Sequence, residues 1–411
     1  MRFHHPAHPG SSLRLGYCMN LHAGETLSEV IAGVRAISLP LSRRLGGTEP
    51  FGVGVYLPAA LAASLAGEGG REMRKRLARE FSEGNLAPFT FNAFPFGDFH
   101  RAGLKRQVFE PTWTSDERLA YTLDVALIAA ELNAGSEELV TISTHCGRFG
   151  PWQAGEFEEA AARFEKLILE LAGLAQAGTA TVAMALEAEP RSVAGTTRAA
   201  RDLVAALYEE LEHRVGSDLL RRHLGLCLDT CHSAVEFEEP DEAVDLALAA
   251  GLSKLQFSSA IRLKQPGSRA AARGQLLGLD EPLYLHQTTG RGAGGLLRVD
   301  DLGDLASAAA SDPAWLGCEE WRTHFHVPVD LARLGEEGLE TTRDHADALL
   351  LRLLQQPEAW GRPELQVEIE TYTWDILPGV LCGPGALVDG LAREYEHVIA
   401  LLARAGWTPA A

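Results

Sequence analysis

A closed (β/α)₈ barrel, one TIM-barrel domain spanning residues 1–411, is the fold class this sequence predicts, and three observations predict it. Eight short apolar runs recur along the chain. Segments rich in Ala, Leu, Glu and Arg with helical spacing lie between them. The runs are continuously apolar rather than alternating, as strands covered on both faces require. Strands that alternate with helices eight times close into such a barrel.

The eight candidate strands are Leu15–Leu21, Phe51–Leu57, Pro88–Phe94, Leu139–His145, Thr181–Glu187, Leu224–Asp229, Leu255–Ser259 and Leu365–Thr371. Helical spacing runs through Leu27–Leu45, Ala59–Ser82, Asp116–Ala134, Phe157–Ala177, Thr196–Val215, Pro240–Ala250 and Thr341–Gln356. The stretch between the last two strands is far longer than one connection needs. It holds a basic Gly/Arg-rich segment, Ile261–Gln275, and residues 260–364 are expected to form an elaborated lid over the barrel mouth. A doubly wound open sheet is the competing architecture, but no Gly-rich dinucleotide or phosphate loop follows the first run.

The chain has 411 residues, 37 basic and 56 acidic, for a formal charge of −19. That balance gives no counterion-release drive toward nucleic acid or an anionic membrane surface. No stretch approaches the ~18 apolar residues of a membrane span, and the N-terminus lacks the apolar core of a secretory signal, so a cytoplasmic protein without stable membrane insertion is expected. Six cysteines, Cys18, Cys146, Cys227, Cys231, Cys318 and Cys382, are scattered without any Cys-x-x-Cys pair, which disfavours both a disulfide scaffold and a thiolate zinc site. A homodimer is compatible with this composition, although no heptad or apolar stripe specifies one.

Catalytic groups of such barrels sit where strands run out at the carboxyl-terminal rim. The fifth run ends Leu-Glu187-Ala-Glu189-Pro190, the sixth Leu-Asp229-Thr-Cys-His232, and the last Glu368-Ile-Glu370. Residues two apart face the same side of a strand, so Glu187 and Glu189 share a face, as do Glu368 and Glu370. A carboxylate directly after an apolar run is costly to bury unless paired or metal-bound, and three strands ending this way imply a shared positive partner. His232 turns back from the first turn after Asp229, and the alternation Thr-His324-Phe-His326 puts two imidazoles on one side. Two or three carboxylates with one or two histidines suit a divalent cation, Zn²⁺, Mn²⁺ or Mg²⁺.

Each residue also has a plainer reading. A lone strand-end Glu or Asp is more often a helix cap or a surface charge; the repetition on matching runs carries the argument. His324 and His326 also read as a hydrogen-bonded pair that stabilises the lid. His145 also reads as a rim residue, Cys146 has no further feature that makes it a nucleophile, and His4, His5 and His8 read as a flexible start.

Asp229-Thr-Cys-His232 with the strand-terminal Glu of the fifth and eighth runs resembles the xylose isomerase-like TIM-barrel superfamily, which includes sugar isomerases, ketose epimerases and endonuclease IV-type enzymes. A resemblance over nearly the whole chain is carried by nine blocks in order. They are Gly16-Tyr-Cys-Met-Asn-Leu-His22, Phe91-Asn-Ala-Phe-Pro-Phe-Gly-Asp-Phe-His100, Phe149-Gly-Pro-Trp152, Glu187-Ala-Glu-Pro190, Asp229-Thr-Cys-His-Ser-Ala-Val-Glu-Phe-Glu238, Gln256-Phe-Ser-Ser-Ala260, Tyr284-Leu-His-Gln287, His324-Phe-His-Val-Pro328 and Glu368-Ile-Glu-Thr-Tyr-Thr-Trp374. These resemble the EboE family of metabolite traffic proteins. The resemblance implies a divalent metal held by Glu187, Asp229, Glu370 (or Glu368) and a histidine. Gln256 and Ser258 stand where the superfamily usually places that histidine, so His232, His326 or His324 is expected to supply it. Substrate contact is expected from His22, Asn92, Glu189, Gln256, His286, His324 and Glu368.

A metal-dependent isomerase or epimerase acting on a small sugar-like or polyol metabolite is the leading expectation. Glu187 or Glu370 would act as base beside a metal-polarised carbonyl, with His232 or Glu189 as partner acid. A carrier that holds a metabolite without turnover is the alternative, favoured by the absent seventh-strand histidine and the large lid. Endonuclease IV-type cleavage is a distant third, opposed by the −19 charge.

Overall fold

The eight apolar runs become eight parallel strands of a closed barrel in the computed structural model, which describes residues 1–97, 103–136, 138–377 and 385–410. In chain order the strands are His8–Cys18, Phe51–Tyr56, Leu86–Asn92, Leu139–His145, Thr181–Glu187, Leu224–Asp229, Leu252–Phe257 and Glu364–Ile369. The eighth pairs in parallel with the first, Leu365 beside Leu13 and Ile369 beside Tyr17, which closes the cylinder. Every residue of the second, sixth and seventh strands is buried, the physical reason their sequences do not alternate. Cys382 and the last residues of the Phe91–His100 block lie outside the described residues.

Helices cover the barrel where spacing placed them, with two differences. The expected helix Ala59–Ser82 is two helices, Ala59–Ala66 and Arg71–Glu83. Gly70 sits between them, and a Cβ there would come within 1.9 Å of the Leu65 carbonyl oxygen. A further helix, Ala386–Arg404, completes the outer layer. Gly390 leaves room on it for the Trp374 ring, which comes 2.3 Å from where a Cβ would stand. The N-terminus is not a flexible start: Arg2–His5 pairs antiparallel with the beginning of the first strand and with Thr408–Pro409, and Phe3 is fully buried.

Between the seventh and eighth strands a separate antiparallel sheet is inserted. Its strands are Ser259–Lys264, Thr288–Gly292, Gly295–Val299, Glu320–Val327, Arg333–Leu334 and Leu339–Thr341. It has its own apolar cluster around Ile261, Leu263, Trp315, Trp321 and Phe325. Arg343–Leu354 then returns to the barrel and packs on the Pro240–Ala249 helix. Buried Glu236, in the loop after the sixth strand, ties the sheet down by pairing with both Arg191 and Arg298. Arg191 adds hydrogen bonds to the Thr288 carbonyl (3.0 Å) and Thr289 Oγ1 (2.8 Å) of that sheet.

The barrel interior is polar below its rim. Thr141 donates to Gln366 Oε1 (2.6 Å), and the fully buried Lys254 ammonium lies 2.5 Å from Glu368 Oε2 and 3.2 Å from Ser143 Oγ. Gly54 leaves room for this pair: a Cβ there would stand 1.5 Å from Glu368 Oε1. Because Glu368 can yield only by leaving Lys254, Gly54→Ala is expected to lower stability by roughly 1–3 kcal/mol. Gly10→Ala, with nothing within 4 Å of the added methyl, should leave the denaturation midpoint unchanged, and urea unfolding of the two variants makes the comparison.

Candidate metal centre

Three strand ends deliver the acidic groups. Glu187 ends the fifth strand, Asp229 ends the sixth, and Glu370 follows the eighth. All three are buried, and one oxygen of each lies within 4.8 Å of the others. Glu370 Oε1 accepts from the Asn92 amide at 3.1 Å and the Asn20 amide at 3.4 Å. Asp229 Oδ1 accepts the His232 backbone N–H at 2.8 Å, capping the short helix Thr230–Val235. The outward oxygens, Glu187 Oε2, Asp229 Oδ2 and Glu370 Oε2, have no hydrogen-bond partner among the described residues.

Burial decides the electrostatics. It pushes Glu187 well above the usual carboxylate range, with Asp229 and Glu189 adding repulsion. Glu370 is raised in the same way by burial and then by Glu187 and Glu368. Asp229 is pushed up to about 7, again chiefly by burial. Burial acts against the charge of Lys254 too, but the adjacent Glu368 carboxylate prevails and holds the ammonium charged. Lys254 is therefore committed to Glu368, and the upper three carboxylates lack a cation of their own. Buried, converging oxygens without donors fit a divalent cation: all three are hard oxygen ligands, and they can be ionised together only beside positive charge.

A second set of donors lies beside them. His232 and His324 face each other through Nε2 at 3.1 Å, and His324 and His326 at 2.8 Å. Glu189 Oε2 is 3.1 Å from His232 Nε2, while its Oε1 accepts from the Gln287 amide at 2.7 Å. Tyr372 stacks on His326 with ring centroids 4.6 Å apart. Apart from Asp229, both sets line a cavity of about 60 Å³. Its lining includes Glu187, Glu370 and the three imidazoles, and beside them a largely apolar wall of Phe94, Pro95, Leu104, Val108, Leu283 and Leu285 that also carries Lys105 and Tyr284.

The other expected residues are distributed as follows. Asn92 lines the cavity. Gln256 lies inside the barrel and accepts from Cys227 Sγ at 2.8 Å, and Glu368 is below the floor with Lys254. His22 bonds the Tyr17 hydroxyl through Nε2 (2.8 Å), on the helix side of the first strand rather than in the cavity. His286 stacks on Phe325 (3.7 Å between centroids) and bridges Glu281 and the His324 carbonyl, behind the floor. His145 is packed edge-on against Phe94 and Phe109, and Cys146 donates to the Glu187 carbonyl with its thiol driven up by burial. Asn20, Lys254, Gln287 and Tyr372 were not expected. Lys254 alone had a visible sign, a lysine inside the apolar run Leu-Ser-Lys-Leu-Gln-Phe and two residues from Gln256.

No protein-family model and no curated protein sequence matches the chain. Among solved structures it is similar to a xylose isomerase domain protein from Planctomyces limnophilus (14% identity, TM-score 0.46, covering 89% of this chain and 92% of that one). It is also similar to a D-psicose 3-epimerase in the presence of D-fructose (11%, 0.47, 95% and 99%) and to a D-tagatose 3-epimerase-like protein (12%, 0.42, 95% and 99%). Likeness at this level carries no argument about what this chain binds or does. No helix among the described residues is long and apolar enough to cross a membrane.

The raised carboxylates set a pH dependence. In the folded, metal-free chain Asp229 keeps a proton above its ordinary 3.8 that the unfolded chain releases, so stability falls as pH rises toward about 7, and further as Glu187 and Glu370 ionise. Below 6.5 the buried histidines oppose this, because burial lowers His232, His324 and His326 and only the unfolded chain takes up their protons. The informative window is therefore above about pH 6.5. Chelator-treated protein should lose stability in chemical denaturation as pH rises above about 6.5, and added Mn²⁺ should remove the slope.

Proposed function

We propose that this barrel is a divalent-metal-dependent isomerase or epimerase that moves a proton next to a carbonyl of a small polyhydroxylated, sugar-like metabolite. One observation carries the reading: three buried carboxylates from the fifth, sixth and eighth strands converge, each with one oxygen that has no hydrogen-bond partner among the described residues, and two of them, Glu187 and Glu370, line the cavity. Glu187, Asp229 and Glu370 would hold the cation. When bound, it supplies a positive centre that orients neighbouring substrate oxygens and stabilises negative charge developing on them.

The chain's own groups do the rest. Glu370 is fixed through Oε1 by Asn92 and Asn20, which leaves Oε2 without a partner among the described residues. Glu187, whose Oε2 is likewise unpartnered, is the base assigned to proton removal, with Glu370 as its counterpart. Both are raised by burial, which makes them stronger proton acceptors than an exposed carboxylate. His232 is left out of proton transfer because its Nδ1 hydrogen is directed at the Ala188 carbonyl (3.0 Å), away from the cavity. Asn92 positions a carboxylate, and Tyr372 and the apolar wall enclose the substrate and exclude water. The same reading keeps the EboE resemblance as the setting, a cytoplasmic step in the handling of a small metabolite.

The test uses the Mn²⁺-loaded protein with dihydroxyacetone and a panel of free ketoses in D₂O, followed by NMR. Deuterium should enter the carbon beside the carbonyl of at least one probe, and Glu187→Gln should slow this by about 10²-fold or more while the fold is kept. Tight binding of a probe with no deuterium uptake would replace the enzyme reading with the carrier.

A further inference from the structure

We propose that the amino-terminal end of the barrel holds a separate binding site for a small organic phosphate, built around Arg222 and Arg362. It stands at the opposite end of the strands from Glu187, Asp229 and Glu370 and does not depend on the reaction proposed above.

A cavity of about 450 Å³ opens there, a size that small-molecule sites commonly have. Its lining fixes its place in the fold. Leu139, Thr181 and Glu364 are the first residues of the fourth, fifth and eighth strands, and Arg222 stands in the last turn of the helix Ser217–His223 that leads into the sixth.

Charge in this cavity is unbalanced. Arg2 and Arg14 each bridge Glu138 and Glu364, with both Glu364 contacts at 3.2 Å, so these two guanidinium groups engage all four carboxylate oxygens. That ring is neutral and closed. Arg222 and Arg362 are left over, and neither forms an ion pair among the described residues. Arg362 reaches only the carbonyl oxygens of Arg221 and Arg222 and Ser253 Oγ, at 3.3–3.5 Å, which is long for an N–H···O bond. Burial works against its charge, and the group that offsets this is the Tyr208 phenol, not a carboxylate. The Thr181 hydroxyl on the same wall is also without a partner among the described residues.

The plainer reading makes both arginines helix caps, cations beside the free carbonyls of a last turn. It accounts for the contacts of Arg362 with residues 221 and 222. It does not account for a roomy cavity beside two unmatched cations in a chain with 56 acidic residues against 37 basic ones. Two positive charges match a dianion, and guanidinium forks suit phosphate oxygens. A bare phosphate would leave most of the volume empty, and Leu139 and Pro363 offer apolar surface to a carbon body. The site therefore fits a phosphate ester.

The experiment titrates the full-length protein with phenyl phosphate, inorganic phosphate and benzyl alcohol in a calorimeter. Phenyl phosphate should bind at one equivalent, at least as tightly as inorganic phosphate and more weakly in high salt, and benzyl alcohol should not bind. Arg222→Gln and Arg362→Gln should each weaken phenyl phosphate by about tenfold or more, while Glu187→Gln, at the other end of the barrel, should leave its affinity unchanged. Arg222 is exposed, so its variant decides the matter if Arg362→Gln does not fold. No saturable binding up to about 10 mM, binding that both arginine variants retain in full, binding lost in Glu187→Gln, or inorganic phosphate held more tightly than its ester overturns the site. None of these outcomes bears on the metal centre assigned to Glu187, Asp229 and Glu370.

Discussion

Buried negative charge must be matched, and that requirement organises the barrel from its interior to its rim. Lys254 on the seventh strand is fully buried and pairs with Glu368 on the eighth at 2.5 Å. The pair fits only because the second strand has Gly54 at the facing position. Breaking such a pair strands an uncompensated charge, at about 3–5 kcal/mol. One lysine, however, answers one carboxylate. Glu187, Asp229 and Glu370 each keep one oxygen unpartnered, and Lys254 offsets the effect of their burial only in part.

The inserted sheet brings nitrogen donors to the same place. Its strand Glu320–Val327 pairs regularly with Ser259–Lys264 up to Thr323 and then shifts register before Val327. His324, Phe325 and His326 occupy that irregular stretch. With a period of two, the histidines share one face while Phe325 turns to the other and stacks on His286. The sheet is in turn anchored through Glu236, whose carboxylate satisfies one guanidinium from the barrel loops, Arg191, and one from the sheet, Arg298. Buried Glu236 thus joins the inserted sheet to the barrel loops through two guanidinium groups.

Much of this was legible in the sequence. Strands buried on both faces show as unbroken apolar runs, so all eight could be found. Carboxylates that end such runs on the same parity declare a common destination, and Glu187, Asp229 and Glu370 do meet. The helix Ala386–Arg404, not among the expected helices, was legible as well: Leu387, Leu391, Tyr395, Val398 and Leu402 recur at helical spacing. The separation of oxygen from nitrogen donors was hidden. It depends on which ring nitrogen of His232 and His326 is taken by the backbone carbonyls of Ala188 and Glu370, and backbone carbonyls look alike in every sequence. His22 and His286, expected at the substrate through resemblance alone, are instead engaged with Tyr17 and Glu281.

The cavity joins two demands that are hard to meet separately. A floor of ionisable groups is most effective where water is excluded, because interactions between charges weaken steeply as the surrounding dielectric rises. The barrel alone would leave that floor open at its rim. Leu283, Tyr284 and Leu285, which precede the second strand of the inserted sheet, share the cavity wall with Phe94 and Pro95, which follow the third barrel strand, and Leu285 packs in one cluster with Phe94. The insertion that brings His324 and His326 to the floor is thus also the insertion that builds the apolar wall. Loosening it would separate the imidazoles from Glu189 and admit water to the carboxylates in one movement, so donor assembly and solvent exclusion rise and fall together.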